Sequence, residues 1–198
     1  MSETTILDGR GHGKVAGVSD ELRLLSESKS RPSEEVEAQR GAAYILHGEC
    51  HTAAAAAGGL MSFKNTSNLD DVVITRIYID SHTITPTDLI LTQVKNPTVS
   101  GGTDITSTGV VQKNYGKNDG LTGTLTISDA ASDITLSGGS NYHSMPIKTM
   151  SQYARDMKGT NVVTPGKTIA WGWKTRAGGN ATDGEIVSLS VNCFRRAI

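Results

Sequence analysis

From about residue 43 onward, apolar and polar residues alternate with a period of two. The clearest run is Asp70-Asp71-Val72-Val73-Ile74-Thr75-Arg76-Ile77-Tyr78-Ile79-Asp80. Strict alternation puts Val73, Thr75, Ile77 and Ile79 on one face and Val72, Ile74, Arg76 and Tyr78 on the other, which predicts a strand. Neither face is wholly polar, so the strand is expected to lie between a core and a subunit contact.

The same pattern recurs along the chain. Residues 88–95 (DLILTQVK) form a second run, closed by Asn96-Pro97. Residues 109–114 and 121–128 read as two strands, and Asn118-Asp119-Gly120 between them is a hairpin signal. A short strand at 134–136 precedes Gly138-Gly139. In residues 167–175, Ile169, Trp171 and Trp173 alternate with Thr168, Ala170, Gly172 and Lys174. In residues 185–194, Val187, Leu189, Val191 and Cys193 share one face; Ile186, Ser188, Ser190, Asn192 and Phe194 take the other. Residues 148–158 break the pattern and are expected to form a short helix. Strand-like runs every 10–15 residues, separated by Gly, Asn, Asp and Pro, predict an all-β body, a β-sandwich or jelly roll, over residues 41–198.

Residues 1–40 read differently. They carry 14 of the 39 charged side chains and none of the nine aromatics. Such a segment buries too little apolar surface to fold alone. It is expected to be an extended, mostly irregular N-terminal arm, loosened by Gly9, Gly11, Gly13 and Gly17. Its one apolar cluster is Leu22, Leu24 and Leu25, followed by a Ser-rich stretch. Those leucines either anchor the arm to a partner or pack on the chain's own body. Residues 33–39 predict a short helix with Ser33 as N-cap, Glu34 and Glu35 in its first turn, and Gly41 as its stop.

Composition narrows the function. Ser and Thr total 42 residues and Gly adds 22, which suits pleated surfaces and tight turns. The formal net charge is -1, without the basic excess of a nucleic-acid binder or a polybasic membrane anchor. No signal-peptide pattern or membrane-spanning apolar run is visible, so a reducing compartment and free thiols at Cys50 and Cys193 are expected. Whether the two meet stays open at this level.

Candidate chemistry is thin. His47-Gly-Glu-Cys-His51 contains four residues of zinc-ligand type, two His, a Glu and a Cys. On a strand, however, His47 and His51 would stand roughly 13 Å apart, too far for one ion. The run Gly9-Arg-Gly-His-Gly-Lys14 lacks the spacing and the flanking strand of a phosphate loop. No Gly-x-Ser-x-Gly elbow occurs. Asp70-Asp71, Asp119, Asp129 and Asp133 match no calcium loop and read as turn residues. No catalytic set, cofactor site or metal site is expected. Trp171 and Trp173 point the same way, either into the core or as a glycan-binding platform.

Three stretches resemble a family of tailed-bacteriophage virion structural proteins, of the head decoration or cement type. The first is Asp8-Gly-Arg-Gly-His-Gly-Lys-Val-Ala-Gly-Val18 with Leu22-Arg-Leu24 and the Ser-rich stretch after it. The second is Gly41-Ala-Ala-Tyr-Ile-Leu46, leading to Leu60-Met-Ser-Phe-Lys-Asn65. The third is the closing pair, Pro165-Gly-Lys-Thr-Ile-Ala-Trp-Gly-Trp173 and Gly184-Glu-Ile-Val-Ser-Leu-Ser-Val-Asn-Cys-Phe194. The resemblance implies a jelly-roll body, often a homotrimer. It also implies an arm that docks on the major capsid protein, and a place on the outer capsid surface of the virion after synthesis in the host cytoplasm. Some relatives are tail or fibre-base proteins instead. The alternative is therefore a receptor-binding or glycan-binding module using Trp171, Trp173, Tyr142 and loop residues near Asn118. A hydrolase or metal-dependent enzyme built around His47, Glu49 and His51 is the third class.

Overall fold

The structure is a computed structural model that describes residues 17–18, 24–25, 37–38, 40–82, 89–114, 120–147, 152–176 and 179–198. The chain divides into two compact units, Met1–Pro32 and Ser33–Ile198. In the first, β1 (Gly17–Val18) pairs antiparallel with β2 (Leu24–Leu25), Gly17 opposite Leu25 and Val18 opposite Leu24. The arm expected to be irregular thus contains one short strand pair.

The second unit is all-β apart from short helical turns, as the alternation predicts. Its strands are β3 (Ala43–His51), β4 (Ala57–Asn65), β5 (Asp70–Ser81), β6 (Leu89–Lys95), β7 (Thr98–Gly101), β8 (Thr103–Asp104), β9 (Val110–Gln112), β10 (Gly123–Ile127), β11 (Ile134–Ser137), β12 (Ser140–Ile147), β13 (Gln152–Val163), β14 (Thr168–Thr175) and β15 (Ile186–Ala197). One sheet runs β12-β6-β14-β4-β10-β8, with β11 bridging β4 and β7; the other runs β13-β5-β15-β3-β9. Every pairing is antiparallel.

Set β7 to β11 aside and the sheets read β12-β6-β14-β4 and β13-β5-β15-β3. Each strand then has its chain neighbour at the same place in the opposite sheet. This is the strand order of a jelly roll, two Greek keys wound into two sheets. The segment from β7 to β11 is an insertion that widens the sandwich at the β3/β4 side. Both inner faces meet in one core that includes Tyr44, Phe63, Ile74, Leu125, Trp171, Trp173 and Leu189.

Local chemistry explains several joints. Gly41 ends the helical turn at Glu37–Arg40 in a left-handed conformation, φ 80°. The Gly41 N–H donates to the Ala38 carbonyl (3.0 Å) and the Ala42 N–H to the Glu37 carbonyl (2.8 Å), the two bonds of a Schellman cap. The stop predicted at Gly41 is therefore real, whereas Ser33 to Glu35 lie outside the described residues. Ala38 packs against Ala43, Val73 and Phe194 on the outer side of the β5/β15/β3 sheet. The arm boundary expected at residue 40 thus falls inside the second unit.

Three expectations need correction. First, the alternation of β5 is not strict. Arg76 pairs with Asn192 and Ile74 with Cys193, so Thr75 is an extra residue in the ladder. This bulge flips parity: Val72 and Ile74 face the core before it, Ile77 and Ile79 after it. The Thr75 hydroxyl donates to the Asn192 carbonyl at 3.2 Å. Second, residues 109–114 and 121–128 do not form a hairpin, because β9 extends β3 in one sheet while β10 extends β4 in the other. The ladders of β9 with β3 and of β10 with β4 take the place of a β9/β10 ladder; Asn118 and Asp119 lie outside the described residues. Third, residues 152–158 are strand rather than helix. They belong to β13, whose residues 152–156 pair with β5, and Tyr153 and Met157 pack in the core cluster; residues 148–151 lie outside the described residues. Among the described residues no helix is long and apolar enough to cross a membrane.

Candidate functional site

The outer face of the β13-β5-β15-β3 sheet carries a set of exposed polar and titratable side chains. Outward positions of four neighbouring strands meet there because directly paired residues share a face. Ser190 pairs with His47 on one side and Tyr78 on the other; Ser188 pairs with Glu49 and Asp80; Ala154 pairs with Tyr78 and Gln152 with Asp80. His47, Tyr78, Asp80, Gln152, Ser188 and Ser190 line a shallow groove of about 600 Å³.

Its polar groups are largely held in place. His47 Nδ1 and Ser190 Oγ are 2.8 Å apart. Gln152 Nε2 donates to Asp80 Oδ2 at 3.1 Å, and His82 Nε2 lies 3.7 Å from the same oxygen. Arg76 Nη1 donates to the Tyr78 hydroxyl at 3.2 Å, with the guanidinium 5.9 Å from the ring centroid. The Ser190–His47 contact has the atoms of a nucleophile and a base. On a sheet, nearby backbone N–H groups are spent on ladder bonds, so an oxyanion there would have only side-chain donors to face.

The residues singled out in the sequence are scattered. Leu24 and Leu25 form β2 of the Met1–Pro32 unit, and Leu22 lies outside the described residues. Trp171 and Trp173 are 0% and 1% exposed, packed into the core from β14. A ring so enclosed offers no face to a sugar, so the core reading of these tryptophans is the one realised. Tyr142 is exposed, with the Lys95 ammonium 3.8 Å from its ring centroid, and Asn118 lies outside the described residues. His47 and Glu49 are exposed and His51 half-buried, all on the outer face of β3. Among the described residues no cluster of three His, Cys, Asp or Glu side chains could hold a metal ion.

Neither Cys50 nor Cys193 is in a disulfide, and both are buried. Cys50 lies at the Val187 end of the β3/β15 ladder and Cys193 at the Tyr44 end. The offset of six positions from Val187 to Cys193 separates them by about 20 Å, which excludes a disulfide. Burial, and secondarily the Glu49 charge, push the Cys50 thiol far above its usual range, so it is an inert core residue.

No known protein-family model matches the chain, and no curated protein does.

Sequence reasoning missed four buried polar groups. Gln93 Nε2 and Oε1, Asn161 Nδ2 and Oδ1, His143 Nε2 and Trp171 Nε1 are all buried without a hydrogen-bond partner. One signal was available. In β6, Gln93 falls on the same alternating face as Leu89 and Leu91, a polar side chain in an apolar row. Asn161 left no such signal, because the irregular stretch before it hides its facing.

Burial, and then the Arg155 guanidinium, hold the His143 pKa below its ordinary 6.5. The unfolded chain therefore takes up this proton more readily than the folded one. Stability present above the ordinary value should fall as pH drops through it toward the folded value. Asp104 and Asp129 are held below the usual carboxylate range, chiefly by the Thr106 and Thr103 side chains respectively, and add acid sensitivity at lower pH. Thermal unfolding between about pH 7 and about pH 5 should show a falling midpoint, and His143→Gln should flatten that slope. An unchanged slope in the variant would assign the effect elsewhere.

Proposed function

We propose that this chain is a structural, non-enzymatic virion protein that binds the outside of a tailed-phage capsid and stabilises it. In this reading the jelly-roll body is a knob, carried as a homotrimer. The N-terminal unit docks on the major capsid protein through Leu22, Leu24 and Leu25. No cofactor, nucleic acid or membrane takes part.

The observation that carries this reading is the division of the chain. A jelly-roll body with its own core is joined to a separate unit, Met1–Pro32, whose described residues include the Leu24–Leu25 strand. Jelly rolls occur in viral capsid domains and in lectins alike, so the fold by itself does not choose. The tethered, charge-rich segment favours a protein that links neighbours on a repeating surface. A short apolar anchor is weak alone and gains strongly when several copies engage together. The near-neutral net charge suits packing against protein outside a shell rather than against genome inside it.

Immunogold electron microscopy with antibody to residues 41–198, on particles from an infected lysate, tests the assignment. Gold spread over the head is the expected result. Gold confined to the tail or its tip would discard the capsid role.

A further inference from the structure

A small cavity opens at one end of the sandwich, where β6 ends and β14 begins beside the end of β13. It measures about 110 Å³, and its lining includes Lys95, Asn96, Asn161, Thr164, Lys167 and Ile169. Asn161 is 0% exposed, yet neither its amide nitrogen nor its oxygen has a partner. No Asp or Glu lines the cavity. The Lys95 ammonium is held at this end by its contact with the Tyr142 ring.

The orphan groups continue inward. Lys95 and Ile169 are directly paired across β6 and β14. Two residues further along the same strands, about 6.6 Å deeper, Gln93 pairs with Trp171 and also with His143 of β12. Because directly paired residues share a face, these three side chains follow Lys95 and Ile169 into the sandwich. Each leaves a buried polar atom unsatisfied. Natural folds keep few such groups, because each forfeits a hydrogen bond it had in water.

The chemistry of the set is one-sided. Lys95, Lys167 and Asn161 line the cavity with no acid among them, and the Gln93 amide and the donor-only indole N–H of Trp171 lie in the next inward row of the same strands. The cavity has room for roughly three or four waters at about 30 Å³ each, the space of one tetrahedral oxyanion. We propose that this end of the jelly roll is a binding site for a small tetrahedral oxyanion of the phosphate or sulfate class. Asn161, Lys95 and Lys167 hold the anion, and the Gln93/Trp171/His143 row completes the network through bridging water. The site is independent of the capsid assignment.

Thermal unfolding and titration calorimetry of the full chain with inorganic phosphate, against chloride at matched ionic strength and neutral pH, decide the matter. Phosphate should raise the unfolding midpoint of the wild type in a saturable way. Phosphate also stabilises proteins generally by exclusion from their surfaces, and that part should persist in any variant. Lys167→Ala changes an exposed side chain and should bind phosphate roughly tenfold more weakly, the loss of about one charge-assisted hydrogen bond. Asn161→Leu should keep its midpoint in chloride, because it removes an unsatisfied amide, and should lose the saturable shift. Equal phosphate responses in the wild type and both variants, or no calorimetric binding by the wild type, would overturn the proposal.

Discussion

A chain lacking residues 1–32 is expected to stay folded with an unchanged unfolding midpoint and to stop sedimenting with capsids. The core strands of the body all lie after residue 42, so the deletion removes none of the buried residues around Tyr44, Phe63 and Trp171. The cut belongs at residue 32 rather than at 40. Ala38 packs against Val73 and Phe194, and Asn114 Nδ2 donates to the Ala38 carbonyl at 3.1 Å. Gln112 Nε2 donates to the Gly41 carbonyl, just after this turn, at 2.6 Å. A longer deletion would strip this cover from the sheet and confuse a loss of folding with a loss of binding. Co-sedimentation with purified shells, read beside circular dichroism, separates the two effects. Full capsid binding by the truncated chain would remove the role assigned to Leu22, Leu24 and Leu25.

Trp171→Ala should be the most damaging single substitution in the body. The ring is fully buried on β14, a central strand between β6 and β4, with Gln93 paired on one side and Met61 on the other. Removing a large core aromatic costs about 3–5 kcal/mol through lost burial and the cavity left behind. A domain has only about 5–15 kcal/mol in total, so the substitution would remove a large share of the stability. Trp171→Phe should cost clearly less, because it keeps most of the apolar bulk and deletes an indole N–H that has no partner. Denaturant midpoints of the two variants give the comparison. A cost for the alanine variant under about 1 kcal/mol would mean that the ring is not a core element. Loss of glycan binding in that variant, were any found, would report unfolding rather than a removed sugar platform.

These two sites also mark how much was legible in advance. The strands β5, β6, β14 and β15, the inward face Val187-Leu189-Val191-Cys193 and the Gly41 stop were all readable in the sequence. Each depends on local information: a two-residue period reports which face of a strand meets water, and a glycine after a helical turn reports a left-handed cap. The candidate groove and the oxyanion cavity were not readable. They are assembled from three or four strands distant in the chain, such as His47, Tyr78, Gln152 and Ser190.

The sequence by itself determined that this protein would be a β-rich body preceded by a segment of different composition. Period and composition are properties of neighbours along the chain, so no partner strand was needed to see them. Only the tertiary structure decided which strands pair, where Thr75 shifts the register, and that β9 and β10 part into different sheets instead of closing a hairpin. It alone put both tryptophans in the core and kept the cysteines at opposite ends of a ladder. The reason is that ladder hydrogen bonds and core contacts join residues far apart in the chain. Many pairings satisfy the same alternation, and only simultaneous packing of both sheets selects one.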